Sequence, residues 1–263
     1  MNNPSISSIC AGAKAYLRTF ALADVMELYR QDGLEWIAPY PGFTGPALVY
    51  DVSAEGSDID LQIGRWIEGI DAGQIPASWF TSPDWTPKNV VERLIAKGFR
   101  DQSNPAEPEW AMALPLGNVL ATPSASPDIS IRAVVTTADF QSWCDVVNPV
   151  LHGWPMVTVG RYSSWLGRAD IRLYLAFWGS VPVATSATVL EGSAASLEFV
   201  ATLPGYRKRG VATAACLHAL RELKGSGAQI ATLRASAVGA SVYERMGFQA
   251  CYRTMTLEYP KEK

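Results

Sequence analysis

Apolar and polar positions follow two different rhythms along this chain, and the change falls near its middle. Across residues 5–30, Ala15, Leu22, Val25, Met26 and Tyr29 recur at helical spacing and predict helix. Pro39-Tyr40-Pro41-Gly42 ends that pattern. Residues 47–52 predict a short strand. Residues 59–70 predict an amphipathic helix with Ile59, Ile63, Trp66, Ile67 and Ile70 on one face. Trp79-Phe80-Thr81 predicts a strand. Thr86 and Pro87 predict the cap and first residue of a helix that runs to Lys97 and closes at Gly98. A further strand is expected over 110–116.

The stretch 117–128, GNVLATPSASPD, has no apolar period and predicts a linker. Beyond it the elements are regular. Residues 129–135 read as a strand, and Thr137 as the cap of a helix to Val147. Strands over 172–178 and 182–190 are joined by Gly179-Ser180, a hairpin signal. A strand over 196–201 is followed by a basic loop and a helix over 210–224. A strand at 229–234, a short helix at 239–245 and a last strand at 248–257 complete the series. Strands that first meander and then alternate with helices predict a mixed sheet covered on both faces, an α/β fold of the α+β, mixed-sheet kind.

Composition narrows the possible functions. The 263 residues are 48% hydrophobic and 18% charged, as in globular proteins. The net charge of −3 and the lack of a long basic tract argue against nucleic acid as partner. No apolar run approaches the ~18 residues that span a bilayer, and the first residues do not read as a signal peptide. Cys10, Cys144, Cys216 and Cys251 are scattered, which predicts neither disulfides nor a zinc site and suits a reducing cytoplasm. No metal is expected.

The densest basic cluster lies between a strand and a helix, in Leu203-Pro-Gly-Tyr-Arg-Lys-Arg-Gly-Val-Ala-Thr213. A helix N-terminus presents unpaired N–H groups and a partial positive charge. Gly210 lets the backbone approach a ligand, Ala212 keeps the first turn open, and Arg207, Lys208 and Arg209 add charge. Such a loop can hold a diphosphate, although a basic loop before a helix is usually only solvated. It is neither a Walker A loop nor a GxGxxG fingerprint.

Arg207-x-x-Gly210-x-Ala212 resembles the [RQ]xxGx[GA] signature of the GNAT superfamily of N-acetyltransferases. Ser236-x-x-Gly-Ala240-Ser-Val-Tyr243-Glu-Arg-Met-Gly-Phe248 resembles that family's second block, which ends in YxxxGF. The resemblance covers roughly residues 129–257 and implies a GNAT fold in which 197–202 is the central splayed strand. It also implies acetyl-CoA as cosubstrate. Backbone of Phe199, Val200, Ala201 and Thr202 would pair with the pantetheine arm. Arg207, Lys208, Arg209, Gly210, Val211, Ala212 and Thr213 would hold the pyrophosphate. Ser236, Ala240 and Tyr243 would lie nearer the sulfur. Many relatives have Asn where this chain has Ser236, a donor of shorter reach. The earlier half resembles the degenerate GNAT-like half of tandem bacterial members. Trp79-Phe80-Thr81-Ser82-Pro83, Pro87 with Leu94, Gly98-Phe99 and Ala111-Met112-Ala113-Leu114 carry that likeness, and an unrelated helical cap is the alternative. The expected division is 1–125 and 126–263, with cofactor in the second part and packing and acceptor shaping in the first.

Acetyl transfer to an amine requires a neutral amine, a stabilised oxyanion and a protonated leaving thiolate. Tyr243 occupies the family's position for the acid, and its other reading is a core tyrosine anchoring a short helix. Glu198 is the candidate base, on a strand whose alternation puts it on the face of Val200 and Thr202; its other reading is a solvated glutamate. An acceptor that arrives neutral needs no base. His218 reads as packing, and His152 as a residue of a substrate-side loop. Trp143, Trp154 and Trp165 are the tryptophans such a loop could present. The expected activity is acetyl transfer to a primary amine on a small molecule. The alternatives are an acyl-CoA sensor and a protein or peptide acetyltransferase. Monomer and homodimer are both open.

Overall fold

The computed structural model of the protein describes residues 6–54, 58–119 and 126–260. The first elements are α1 (Ile6–Phe20), β1 (Met26–Gln31), β2 (Leu34–Pro39), β3 (Leu48–Val52) and α2 (Ile59–Asp71). Then come β4 (Ser78–Phe80), α3 (Val90–Ala96), β5 (Arg100–Asp101) and β6 (Trp110–Pro115). The later part contains β7 (Ile129–Ala133), α4 (Thr137–Val147), α5 (Val159–Tyr162), β8 (Ile171–Trp178), β9 (Val181–Glu191) and β10 (Ala194–Thr202). It closes with α6 (Val211–Lys224), β11 (Ile230–Ala235), α7 (Ala237–Glu244), β12 (Gln249–Arg253) and β13 (Thr256–Glu258).

These strands form two mixed sheets, in the orders β1-β2-β3-β4-β13-β5 and β12-β6-β11-β10-β9-β8-β7. Each sheet takes one strand from the other side of the 125/126 division. β6 lies between β12 and β11, paired antiparallel to both. β13 lies between β4 and β5, also antiparallel to both. In the second sheet, α6 packs on one face of β8, β9 and β10, while α1 and α4 cover the other. The middle of β9 is buried without interruption because both its faces are covered. Helix α1 approaches β11 so closely that a Cβ at Gly12 would collide with the Thr232 hydroxyl.

Four local expectations need correction. The helical spacing across 5–30 ends at Phe20, and 26–31 is a strand. Asp32 and Gly33, at φ of 50° and 78°, turn β1 tightly into β2, and that hairpin outweighs the apolar spacing. The helix expected from Thr86-Pro87 begins at Val90. Thr86 is instead tied to the end of β3: its N–H donates to Val52 O (3.0 Å) and its carbonyl accepts from Ala54 N–H (3.0 Å). The cap of α4 is Thr136, not Thr137, because Asp139 completes a reciprocal capping box with Thr136. The single strand expected over 248–257 is two strands in two sheets, with Thr254 N–H donating to Glu109 O between them. Of the expected linker, 120–125 lies outside the described residues.

The core follows the exchange of strands. Trp36 and Trp79 of the first sheet, Ile63 and Trp66 of α2, and Trp85 and Phe99 from loops share one cluster with Leu257 of β13. A second cluster joins Phe20, Met26, Ile37 and Tyr50 to Phe140, Trp143, Trp165, Leu173 and Phe199. Glu35 ties the same seam: it accepts from Arg18 Nε (2.6 Å), Tyr50 OH (2.7 Å) and Arg30 Nε (2.7 Å). Burial raises its pKa, but these donors more than reverse the effect and hold it at about 2. Leu257→Ala is expected to cost about 3 kcal/mol through the cavity it leaves. With the sheets sharing strands and core, circular dichroism and tryptophan fluorescence should report one coincident denaturant transition. Two separated transitions would show that the sheets are independent.

Candidate active site

The site begins where two parallel strands part. β10 and β11 are in register only from Ala194↔Ile230 to Ser196↔Thr232, although β10 continues to Thr202 and β11 to Ala235. Beyond Ser196 the two strands diverge, leaving a cleft edged by backbone. The partner of β10 on its other side, β9, shifts register between Glu198 and Ala201. Phe199 sits there at φ 51°, an uncommon conformation for a residue with a side chain. Thr185 Oγ1 donates to Phe199 O (2.7 Å), and the Phe199 ring packs edge-on against Tyr16 (5.5 Å) and Trp143 (5.1 Å). These contacts offset the strain.

That bulge corrects the alternation expected for β10. Leu197 and Val200 face the α6 side, in the cluster with Leu217 and Leu220. Glu198 lines a cavity on the α1 side, and Phe199 and Ala201 pack there as well. Glu198 therefore does not share a face with Val200, because the extra residue at Phe199 reverses the parity of the strand.

At the far end of β10 the loop leads into α6. Gly210 is its N-cap at φ 78°, and a Cβ there would meet no atom within 4 Å. Lys208 also has positive φ (60°), which tightens the loop. The first helical bond is donated by Ala214 N–H to Gly210 O, so the amides of 211–213 precede the ladder. Arg207 Nε donates to Thr202 O (3.2 Å), while Arg209 lies over the rings of Trp178 (5.2 Å) and Tyr206 (5.4 Å). Thr202 Oγ1 is buried without a hydrogen-bond partner at the open end of the cleft. An orphaned hydroxyl, free amides and an unobstructed Gly210 fit a phosphorylated ligand with a polar arm.

Helix α7 borders the same cleft through its packing on β11. Ser236 caps it by accepting from Gly239 N–H (3.2 Å). Tyr243 packs edge-on to Phe248 (6.0 Å), and a Cβ at Gly239 would lie 3.5 Å from its ring. Burial, then the fields of Cys216 and Glu198, push the Tyr243 phenol above its usual pKa, so it stays protonated. Ala240 packs at the edge of the cluster that holds Val242 and Tyr243.

The cavity beside Glu198 has a volume of about 270 Å³. It lies between α1 and the splayed strands, with Leu17, Phe20, Leu48, Phe80 and Met156 among its apolar walls. Ser196 donates a hydrogen bond to Glu198 Oε1. Burial raises the Glu198 pKa to about 7, and Ser196 and Arg234 only partly counter it. Tyr16, also on the cavity wall, has its phenol pKa pushed up by burial and then by Glu198.

Glu198 lines the cavity on the α1 side, whereas Tyr243 does not line it and packs with the α6-side cluster, within reach of the Glu198 field. Trp143 and Trp165 are buried core behind Phe199, and Trp154 is exposed; none of the three lines the cavity. His218 packs edge-on against Tyr174 (5.3 Å). His152 does line the cavity, beside Phe199 (6.4 Å between ring centres). Tyr16 and Arg234 were missed by sequence reasoning. Arg234 could have been inferred from the register, two residues beyond Thr232 as Glu198 is beyond Ser196. Nothing local to α1 marks Tyr16. Among the described residues, no group of three His, Cys, Asp or Glu side chains is placed to hold a metal.

Comparison with known proteins agrees with this geometry. Residues 138–248 match the acetyltransferase (GNAT) family. None of the curated proteins matches by sequence. A GCN5-related N-acetyltransferase from Kribbella flavida superposes with a TM-score of 0.71 at 16% identity, over 96% of both chains. One from Sphaerobacter thermophilus gives 0.64 at 17% identity, over 99% of this chain and 96% of that one. These likenesses establish a shared fold that extends through both sheets. The family match assigns residues 138–248 to a GNAT acetyltransferase domain, and the likeness to the two solved structures is one of fold.

Proposed function

We propose that the protein transfers an acetyl group from acetyl-CoA to the primary amine of a small molecule. The observation that carries this reading is the parting of β10 from β11, with a phosphate-compatible loop at one end and the Glu198 cavity at the other. The thioester supplies a carbonyl activated toward attack by an amine. The amides of 211–213 and the charges of Arg207 and Lys208 hold the diphosphate, and the free edge of β10 from Phe199 to Thr202 orients the arm. Ser236 and Ala240 keep the α7 side of the cleft small and polar.

Glu198 takes the proton of the incoming ammonium, directly or through a water. Its pKa near 7 leaves it partly ionised at neutral pH and basic enough to accept. As the amine forms the C–N bond and the C–S bond breaks, the Tyr243 hydroxyl gives its proton to the departing sulfur, and the second proton released by the new amide nitrogen returns Tyr243 to the phenol. The stretches 1–125 and 126–263 act as a GNAT-like pair in which only the second grips the cosubstrate. The free cysteines are compatible with a reducing cytoplasm, and among the described residues no helix is long and apolar enough to cross a membrane.

Three outcomes check these roles. Tyr243→Phe should lower kcat by about 10²–10⁴-fold and leave acetyl-CoA affinity, read by calorimetry, nearly intact. An unchanged rate would remove Tyr243 from the chemistry. Next, kcat/KM for an alkylamine should rise about tenfold per pH unit below 7 and level off above it, as Glu198 ionises. A rise that continues past 7 would mean that the amine enters neutral. The same raised pKa means the native state holds a proton that the unfolded chain releases near 4.5, so stability falls as pH rises from about 4.5 to about 7. Glu198→Gln should abolish both the rate limb and that fall in stability. Finally, Gly210→Ala places a side chain at φ 78°. It should cost roughly 1 kcal/mol of stability and raise the acetyl-CoA KM about tenfold, as read by steady-state kinetics.

A further inference from the structure

The lining of the Glu198 cavity limits what can be acetylated there, and this inference rests on the acetyl-transfer reading above. We propose that the acceptor is a small primary amine with a single positive charge on an apolar skeleton and a neutral hydroxyl facing His152.

Size comes first. A cavity of about 270 Å³ is the size of a small-molecule site rather than a peptide groove. The apolar walls come largely from the first half of the chain: Ala13, Leu17 and Phe20 of α1, Leu48 of β3 and Phe80 of β4. A skeleton of the same character is held there by burial.

Charge comes second. Glu198 and Arg234 are the charged groups among the described lining residues. Arg234 is already engaged, its guanidinium 4.7 Å over the Phe80 ring and its Nε 3.4 Å from Glu109 Oε2. Glu109 already offsets part of its charge, which weakens its pull on an acceptor carboxylate. A polyamine would find no second carboxylate to meet its further charges. One ammonium, met by Glu198, balances the cavity.

Hydrogen bonding comes third. His152 Nε2 is buried with no partner, and burial lowers the pKa of the ring, so the imidazole is neutral at neutral pH. A buried nitrogen left without a partner is costly, and a neutral hydroxyl on the ligand satisfies it without adding charge.

The test uses the full chain, acetyl-CoA and matched probes: 2-phenylethylamine, tyramine, phenylalanine, spermidine and a lysine peptide. For 2-phenylethylamine, kcat/KM should exceed that for phenylalanine and spermidine by about 100-fold. Tyramine should exceed 2-phenylethylamine about tenfold, and His152→Phe should reduce that ratio to about one. A merely structural role for His152 would lower both rates and keep the ratio. Ala13→Leu, which fills the cavity from α1, should raise the tyramine KM and leave acetyl-CoA affinity unchanged. Calorimetry of tyramine without acetyl-CoA reads the same selection apart from turnover, and the absence of binding would overturn the proposal. Preference for phenylalanine, spermidine or the peptide would overturn the acceptor class while leaving acetyl transfer in place. Tyramine binding without acetyl-CoA binding would overturn acetyl transfer instead.

Discussion

The candidate site and the function proposed for it depend on one unfinished pairing. β10 and β11 exchange the hydrogen bonds of a parallel ladder for three residue pairs and then separate. Past that point the facing backbone groups have no sheet partner, and unpaired backbone away from water is expensive. In the proposed function an extended ligand completes the ladder. The bulge at Phe199 contributes to the divergence, and it is stabilised from behind by a cluster of aromatic rings instead of by the ligand. The cleft is therefore preformed, and its geometry is set by core packing.

The same bulge sorts the side chains of β10 between two compartments. Val200 is left toward α6, while Glu198 and Phe199 face α1. A carboxylate is thereby placed in an apolar chamber whose roof is supplied by the first half of the chain. Burying it opposes folding, because the charged form loses its hydration. The compensation is chemical: a carboxyl poised near neutrality can both accept and release a proton under physiological conditions. Glu35 shows the contrast within one molecule. It too is buried, but two guanidinium groups and a phenol meet it, so it stays ionised and only fastens α1 to β2.

Much of the second sheet was legible in the sequence because each of its signals is local. Gly179 marks a hairpin, Gly210 a helix start, and the apolar runs of β9 and β11 mark strands covered on both faces. The loop and Tyr243 were singled out as candidates because their spacing resembles a known family. The first half was harder to read. Asp32-Gly33 is a local turn signal, but helical spacing masked it. Thr86 looks like a helix cap, and only its bonds to Val52 and Ala54 show that it belongs to a strand end. Glu198 and His152 were named one by one, but the cavity they share with Tyr16 and Phe80 could not be read, because these residues meet only after α1 has been laid across the second sheet. No periodicity encodes a contact between residues so far apart in the chain.

The exchange of β6 and β13 also bears on how the chain matures during synthesis. When the first part emerges from the ribosome, its sheet lacks the strand that belongs between β4 and β5. Trp66, Trp79 and Phe99 then surround a slot that only Leu257 fills. The early segment must wait, partly assembled, until translation has delivered β13. Non-local pairing of this kind slows folding and leaves strand edges uncovered in the interval. It also means that neither half can be excised and moved as a cassette, so duplication or shuffling of this architecture has to carry both halves together.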